Sequence, residues 1–316
     1  MPQLLPSKPV QRKWTAIALA QPVAAALAYW SIYVEETYGL LLFVWVPFLL
    51  GFLPVVVYGH GWTVDKFKAS MLGLLSLGIF ALGLLVFAWE GLICIAMAAP
   101  FAILSTWIGS LTGWLVTSRF PGNSLLSILL LAGAIPLLAA AETGTPPEAE
   151  PVTTSVVINA SPEEVWEVVV AFPQLDPPTE WLFRAGIAYP IDATIDGSGV
   201  GAVRHCNFNT GSFVEPITVW DPPHVLGFDV QEQPLPMREI SFWDVDAPHL
   251  HDYFVSRRGE FRLTEQADGT TLLEGTTWYY HDLRPAFYWR WWSNAIVHAI
   301  HERVLNHVKA VAEKGK

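Results

Sequence analysis

The sequence predicts two joined architectures: an α-helical transmembrane bundle, then an α+β domain whose antiparallel sheet packs on a long C-terminal helix. Three observations carry this reading. The 316 residues are 52% hydrophobic and 15% charged, against about 45–50% and about 25% in soluble domains, and the excess lies in the N-terminal half. A proline-rich acidic segment, AETGTPPEAEP at 141–151, divides the chain. Beyond it, hydrophobic residues recur first with the period of a strand and then with that of a helix.

Five apolar stretches free of Asp, Glu, Lys and Arg run at roughly 14–34, 39–59, 69–89, 91–118 and 121–141. Each holds about 20 residues or more, enough to cross about 30 Å of hydrocarbon as helix. Residues 1–141 therefore read as a membrane domain with about five transmembrane helices. The turn Trp89-Glu90-Gly91 is very short, and a re-entrant pair is the alternative there. Lys8, Arg12, Lys13, Lys66, Lys68 and Arg119 fall on one side, while Glu35, Glu36, Glu90, Glu142, Glu148 and Glu150 fall on the other. The positive-inside rule puts the N-terminus in the cytoplasm, and an odd number of spans puts the C-terminal domain outside it. A cleaved signal peptide is the alternative for the first segment, but its apolar run continues past any early cleavage site and more spans follow. The spans contain no ionisable residue, which removes the usual marks of an ion or proton path. Ser105, Gly109 and Gly113, spaced by four, form a small-residue face that suits packing inside the bundle or a homodimer contact.

Residues 142–151 read as an extended solvated linker and 152–316 as the second domain. After the linker, 12 basic residues stand against 22 acidic ones, so nucleic acid and anionic surfaces are repelled rather than bound. Cys94 sits in a span and Cys206 is alone in the second domain, so no disulfide forms within it. In VVINASPEEVWEVVVAF, 156–172, Val156, Ile158 and Ala160 alternate as in a strand, and Val165, Val168, Val169 and Phe172 recur as in a helix. Ser161 is placed to cap that helix, Pro162 suits its first position, and Glu163 and Glu164 suit its positive end. A short helical piece follows near 180–185. Strands are expected at about 187–195, 200–209, 212–220, 224–232, 252–264 and 270–280, separated by the turns IDGSGVG, NTGS, WDPPH and EQADGT. A last helix runs from near Pro285 to about Lys314, with Trp289, Ile296, Ile300, Val304, His307 and Val311 on one face.

The order of a strand, the ASPEEVWEVV helix, a meander containing WDPPHVLGFDV, the hairpin GEFRLTEQADGTTLLEGTTWYY and a long terminal helix resembles the SRPBCC or START-like superfamily. That superfamily includes polyketide cyclase and dehydrase relatives, lipid-transfer domains and plant pathogenesis-related allergens. The resemblance covers about 152–314 and implies a helix-grip fold, a curved antiparallel sheet around the C-terminal helix, with an apolar cavity between them. It implies a hydrophobic small molecule or lipid as ligand, and no cofactor.

Strand parity nominates the residues facing that cavity. Leu226, Phe228 and Val230 share one face, as do Tyr253, Val255, Phe261 and Leu263, and Cys206 and Phe208. The same parity turns Arg204 and Arg257 inward, and the phase of Phe213, Ile217 and Val219 adds Glu215. Buried charges must be paired, so this trio forms either a polar handle for a ligand carboxylate or phosphate, or, if a bulge shifts the register, a solvated outer face. The ligand-binding set is Arg204, Cys206, Phe208, Glu215, Ile217, Phe228, Tyr253, Arg257, Ile296 and Ile300. His249, His251, Asp252, His281 and Asp282 cluster in sequence, but no CxxC or HExxH spacing accompanies them, and no metal site is assigned. His307 reads as a core histidine. No nucleophile elbow or phosphate loop is present. The leading expectation is thus a membrane-anchored binding protein. The alternatives are a cyclase-, dehydrase- or hydrolase-type enzyme with Arg204, Glu215 or a histidine in acid-base roles, and a membrane assembly or sensor protein.

Overall fold

The computed structural model describes residues 5–119, 148–241, 243 and 245–314. The fifth expected span, 121–141, and the linker as far as residue 147 lie outside them. The described residues fall into two compact units, the first built on the N-terminal helices and the second on the sheet.

In the first unit, α1 (Pro9–Tyr33), a π-helical turn (Leu41–Trp45) that runs into α2 (Val46–Gly59), α3 (Lys66–Val86) and α4 (Leu92–Arg119) follow in order. Two of the helices begin before the apolar runs at 14–34 and 69–89 on which they are built. Pro9 opens α1, in the first-turn position that suits proline, so Arg12 and Lys13 fall inside the helix. Asp65 opens α3 by accepting a hydrogen bond from the Lys68 amide at 2.9 Å, satisfying a free donor of the first turn. Helix α2 is the most enclosed and touches the other three. Its approach to α4 depends on glycine: a Cβ on Gly109 would stand 2.0 Å from the Phe48 carbonyl oxygen, and one on Gly51 2.0 Å from that of Thr106. The small face of Ser105, Gly109 and Gly113 is therefore covered by α2 of the same chain.

The second unit is a curved half-barrel of seven antiparallel strands with a long C-terminal helix, a helix-grip fold. Its elements are β1 (Glu150–Ile158), α5 (Pro162–Val170), α6 (Trp181–Arg184), β2 (Pro190–Asp196), β3 (Val203–Phe208), β4 (Gly211–Asp221), β5 (Val225–Asp229), β6 (Phe254–Glu265), β7 (Thr271–His281) and α7 (Ala286–Glu313). The sheet order is β1-β7-β6-β5-β4-β3-β2, so the first and second strands form opposite edges and α5 and α6 lie between them in sequence. The change of period after Ala160 is a complete capping box. The Ser161 side chain accepts from the Glu164 amide, and the Glu164 carboxylate accepts from the Ser161 amide at 2.9 Å. The core lies on the concave face. Ile158, Leu226, Leu263 and Leu273 from the sheet meet Val165 and Val169 of α5 and Val304, Leu305 and Val308 of α7.

Two bulges decide which side chains reach that face. The register shifts between Ile217 and Val219 in β4 and between Ser256 and Arg258 in β6. Each inserts a residue and reverses the alternation beyond it. Val219, expected inward, is therefore exposed, and Trp220 packs edge-to-face on Trp166 at 5.4 Å.

Candidate functional site

Between the sheet and α7 lies a cavity of about 110 Å³. Its walls are mostly aromatic and aliphatic: Phe208, Phe213, Phe228, Phe254 and Phe261 from the strands, and Val297, Ile300 and Val304 from α7. The rings pack on one another, with Phe208 and Phe213 centred 5.0 Å apart and Phe228 and Phe261 6.1 Å apart. Phe228 lies over Gly259, where a Cβ would come within 2.5 Å of its ring, so a residue without a side chain is what lets this wall close.

Strand β3 has no bulge, and the sequence parity places its residues well: Arg204, Cys206 and Phe208 all line the cavity, with Glu215 from the first part of β4. Arg204 and Glu215 are directly opposed in the register and form a salt bridge with side chains 2% and 7% exposed. The Arg204 Nε–H donates to the Val170 carbonyl at 3.1 Å, which ties the ion pair to the end of α5. The guanidinium carbon lies 5.5 Å from the ring centres of Phe172 and Phe228 and 5.6 Å from that of Phe261. Burial opposes its charge, but Glu215 and Cys206 outweigh that and hold Arg204 protonated. Burial also pushes the Glu215 carboxyl up, against the pull of Arg204. The Cys206 thiol is pushed up to about 12 by burial and then by Glu215.

The rest of the sequence-derived set divides. Phe228 and Ile300 line the cavity. Ile217 is buried in the adjoining core but does not line it. Tyr253 precedes β6, and with the bulge it is Phe254 and Ser256 that face the cavity, while Arg257 is exposed, stacking on Tyr280 at 5.1 Å. This corrects the inward reading of Tyr253, Val255 and Arg257; beyond the bulge, Phe261 and Leu263 do point inward. On α7 the inward stripe is rotated from the expected one. Val297 replaces Ile296, with Ser293, Val304, Leu305 and Val308 buried beside it. His307 is half-buried, with its ring edge-on to Phe172 at 5.9 Å and its pKa lowered chiefly by burial. Among the described residues, the second unit by itself holds no three of His, Cys, Asp and Glu close enough to share an ion.

Sequence reasoning missed a polar group on the opposite wall. His301 lines the cavity and hydrogen-bonds through Nε2 to the Thr277 hydroxyl at 2.8 Å and through Nδ1 to the Thr154 hydroxyl at 3.2 Å, which also meets His298 at 2.7 Å. Burial, and then the neighbouring His298, lower the His301 pKa to about 4. The signal was present but dispersed: Thr154 shares parity with Val156 and Ile158, Thr277 with Leu273 and Tyr279, and His301 lies one turn from Val297 and from Val304 or Leu305.

Residues 150–313 match a family described as polyketide cyclase / dehydrase and lipid transport. No curated protein matches the chain. Among solved structures, a truncated norcoclaurine synthase from Thalictrum flavum is similar at 13% identity, over 55% of this chain and 100% of its own, with a TM-score of 0.35. The protein XoxI from Bacillus cereus is similar at 17% identity, over 52% and 95%, with a TM-score of 0.34. The Zhui aromatase/cyclase from a Streptomyces species is similar at 18% identity, over 52% and 94%, with a TM-score of 0.32. At these scores the likenesses carry no functional argument. The family match spans just over half of the chain and runs from β1 to the end of α7, over the same residues that build the sheet, the helix and the cavity between them: the protein belongs to the polyketide cyclase / dehydrase and lipid transport family.

Proposed function

We propose that the C-terminal domain binds an apolar small molecule in the cavity between its sheet and α7, and that the N-terminal helices hold it at a membrane. The observation that carries this is the aromatic-walled cavity of about 110 Å³. Drug-sized ligands occupy sites of about 300–1,000 Å³, whereas a dry protein cavity of about 150 Å³ accepts benzene. The cavity as it stands therefore suits one ring or the end of an acyl chain, and a whole lipid requires α7 to move away from the sheet.

A cyclase or dehydrase reading is the second one, because Glu215 is a buried carboxyl with a raised pKa inside the cavity. The other titratable groups there argue against catalysis. A thiol with a pKa near 12 is not a nucleophile at neutral pH, and an imidazole with a pKa near 4 is a weak base.

The membrane part of the reading is supported by four helices long and apolar enough to span a bilayer, three of which expose large apolar side chains, among them Leu19, Val23, Leu75, Leu82, Ile103 and Leu104. Arg12 donates to the His60 carbonyl and stacks on Trp62 at 4.4 Å, so the basic N-terminal residues and the α2–α3 loop share one end of the bundle. With a fifth span at 121–141 and a linker at 142–151, the domain at 152–316 is extracytoplasmic. Binding is tested by equilibrium dialysis of toluene against the full chain in lipid nanodiscs, with empty nanodiscs as the blank. Saturable uptake that disappears in Ile300→Trp, a variant that fills the cavity, is expected. Uptake equal to that of the empty discs refutes the reading.

A further inference from the structure

The ion pair inside the cavity narrows the ligand class, an inference that rests on the binding reading above. Arg204 is 1% exposed and Glu215 5%. The guanidinium donates Nε–H to the Val170 carbonyl and Nη1–H to Glu215 and also interacts with the Cys206 thiol, while Nη2 is buried without a hydrogen-bond partner. A buried donor left without an acceptor is costly, and a hydrogen bond to a charged donor is among the stronger ones. Arg204 itself lines the cavity, as do Phe228 and Phe261, two of the three rings around its guanidinium, so a ligand in that space lies beside the donor.

Charge decides which acceptor fits. Arg204 already has its counter-charge in Glu215, so the pair is neutral as a unit. An anionic ligand would add a second carboxylate to an aromatic-walled site in which, among the described residues, Arg204 is the one buried cation. Arg258 also lines the cavity, but it is exposed and its guanidinium lies 3.8 Å over the Trp278 ring. Glu260, on the same wall, is itself acidic. We infer that the cavity selects a neutral ligand carrying a carbonyl or equivalent oxygen acceptor for Arg204, and discriminates against carboxylates and phosphates. This replaces the anion-binding handle that the residue types alone suggest.

Three ring-sized probes differing in one group provide the test: acetophenone, ethylbenzene and benzoate, measured by equilibrium dialysis against the full chain in lipid nanodiscs at neutral pH. Acetophenone is expected to bind at least about tenfold tighter than ethylbenzene, as a hydrogen bond to a charged donor supplies, and tighter than benzoate. In Glu215→Gln, Arg204 loses its counter-charge, and benzoate is expected to overtake acetophenone. Benzoate binding tightest to the wild type, or acetophenone binding no better than ethylbenzene, overturns the inference while leaving an apolar site intact. Binding of none of the three overturns the binding reading and this inference with it. Should Glu215→Gln fail to fold, the wild-type ranking decides alone.

Discussion

Single residues in the cavity respond differently to substitution because some are paired and some are not. Arg204→Met leaves Glu215 buried without a counter-charge, and truncating one partner of such a pair costs about 3–5 kcal/mol. Replacing both, as in Arg204→Met with Glu215→Leu, is expected to restore most of that stability, because an apolar pair of similar volume removes both desolvation penalties. Thermal unfolding of the two variants beside the wild type checks this; equal losses would show that the pair is not coupled. His301 gives a pH signature. Its folded pKa, near 4, lies below the unfolded value of 6.5, so its contribution is intact above pH 6.5 and is lost as pH falls toward 4, where the unfolded chain takes up the proton first. The expected loss over that interval is about 1–3 kcal/mol, the lower figure allowing for a ring that is only half-buried. It is read from unfolding midpoints between pH 7 and 4, and His301→Gln is expected to flatten that slope. The Arg204 side of the cavity was legible in the sequence because β3 alternates without interruption. The His301 side was not, because Thr154, Thr277 and His301 come from three distant segments and no local pattern links them.

Elements carry the same lesson about what a sequence pattern holds. The start of α5 is written locally: Ser161, Pro162 and Glu164 are all within four residues, and the structure has the full capping box they imply. Ser161→Ala is expected to cost about 1 kcal/mol of domain stability, seen as a lowered unfolding midpoint, with Ser161→Asp recovering most of it. Strand β6 shows the opposite case. Its apolar residues suggest one continuous face from Tyr253 to Leu263, yet the bulge at Ser256–Arg258 exchanges the faces halfway. A bulge depends on how two strands meet, and single-strand periodicity cannot register it. Helix α7 was placed correctly in length, from Ala286 to Glu313, but its buried stripe was set by the concave sheet and not by its most apolar residues, so Ile296 yielded to Val297. In α4, the spacing of Ser105, Gly109 and Gly113 identified a close helix contact without saying which helix makes it. The structure supplies α2.

For the whole molecule, sidedness limits which ligands can reach the cavity. A Thr145→Cys variant in a Cys94→Ala, Cys206→Ala background is expected to react with a membrane-impermeant maleimide in intact cells. Reaction only after permeabilisation would place the domain in the cytoplasm instead. The central claim, that the space between the sheet and α7 holds an apolar molecule, is tested most directly by what the protein itself retains. The full chain and Ile300→Trp are incubated with a lipid-rich cell extract, repurified in the same detergent and extracted into organic solvent for mass spectrometry. Near-UV circular dichroism and the unfolding midpoint serve to confirm that the variant is folded. The account predicts an apolar species near one per chain from the wild type and strongly depleted in Ile300→Trp. Identical extracts from the two proteins would contradict it.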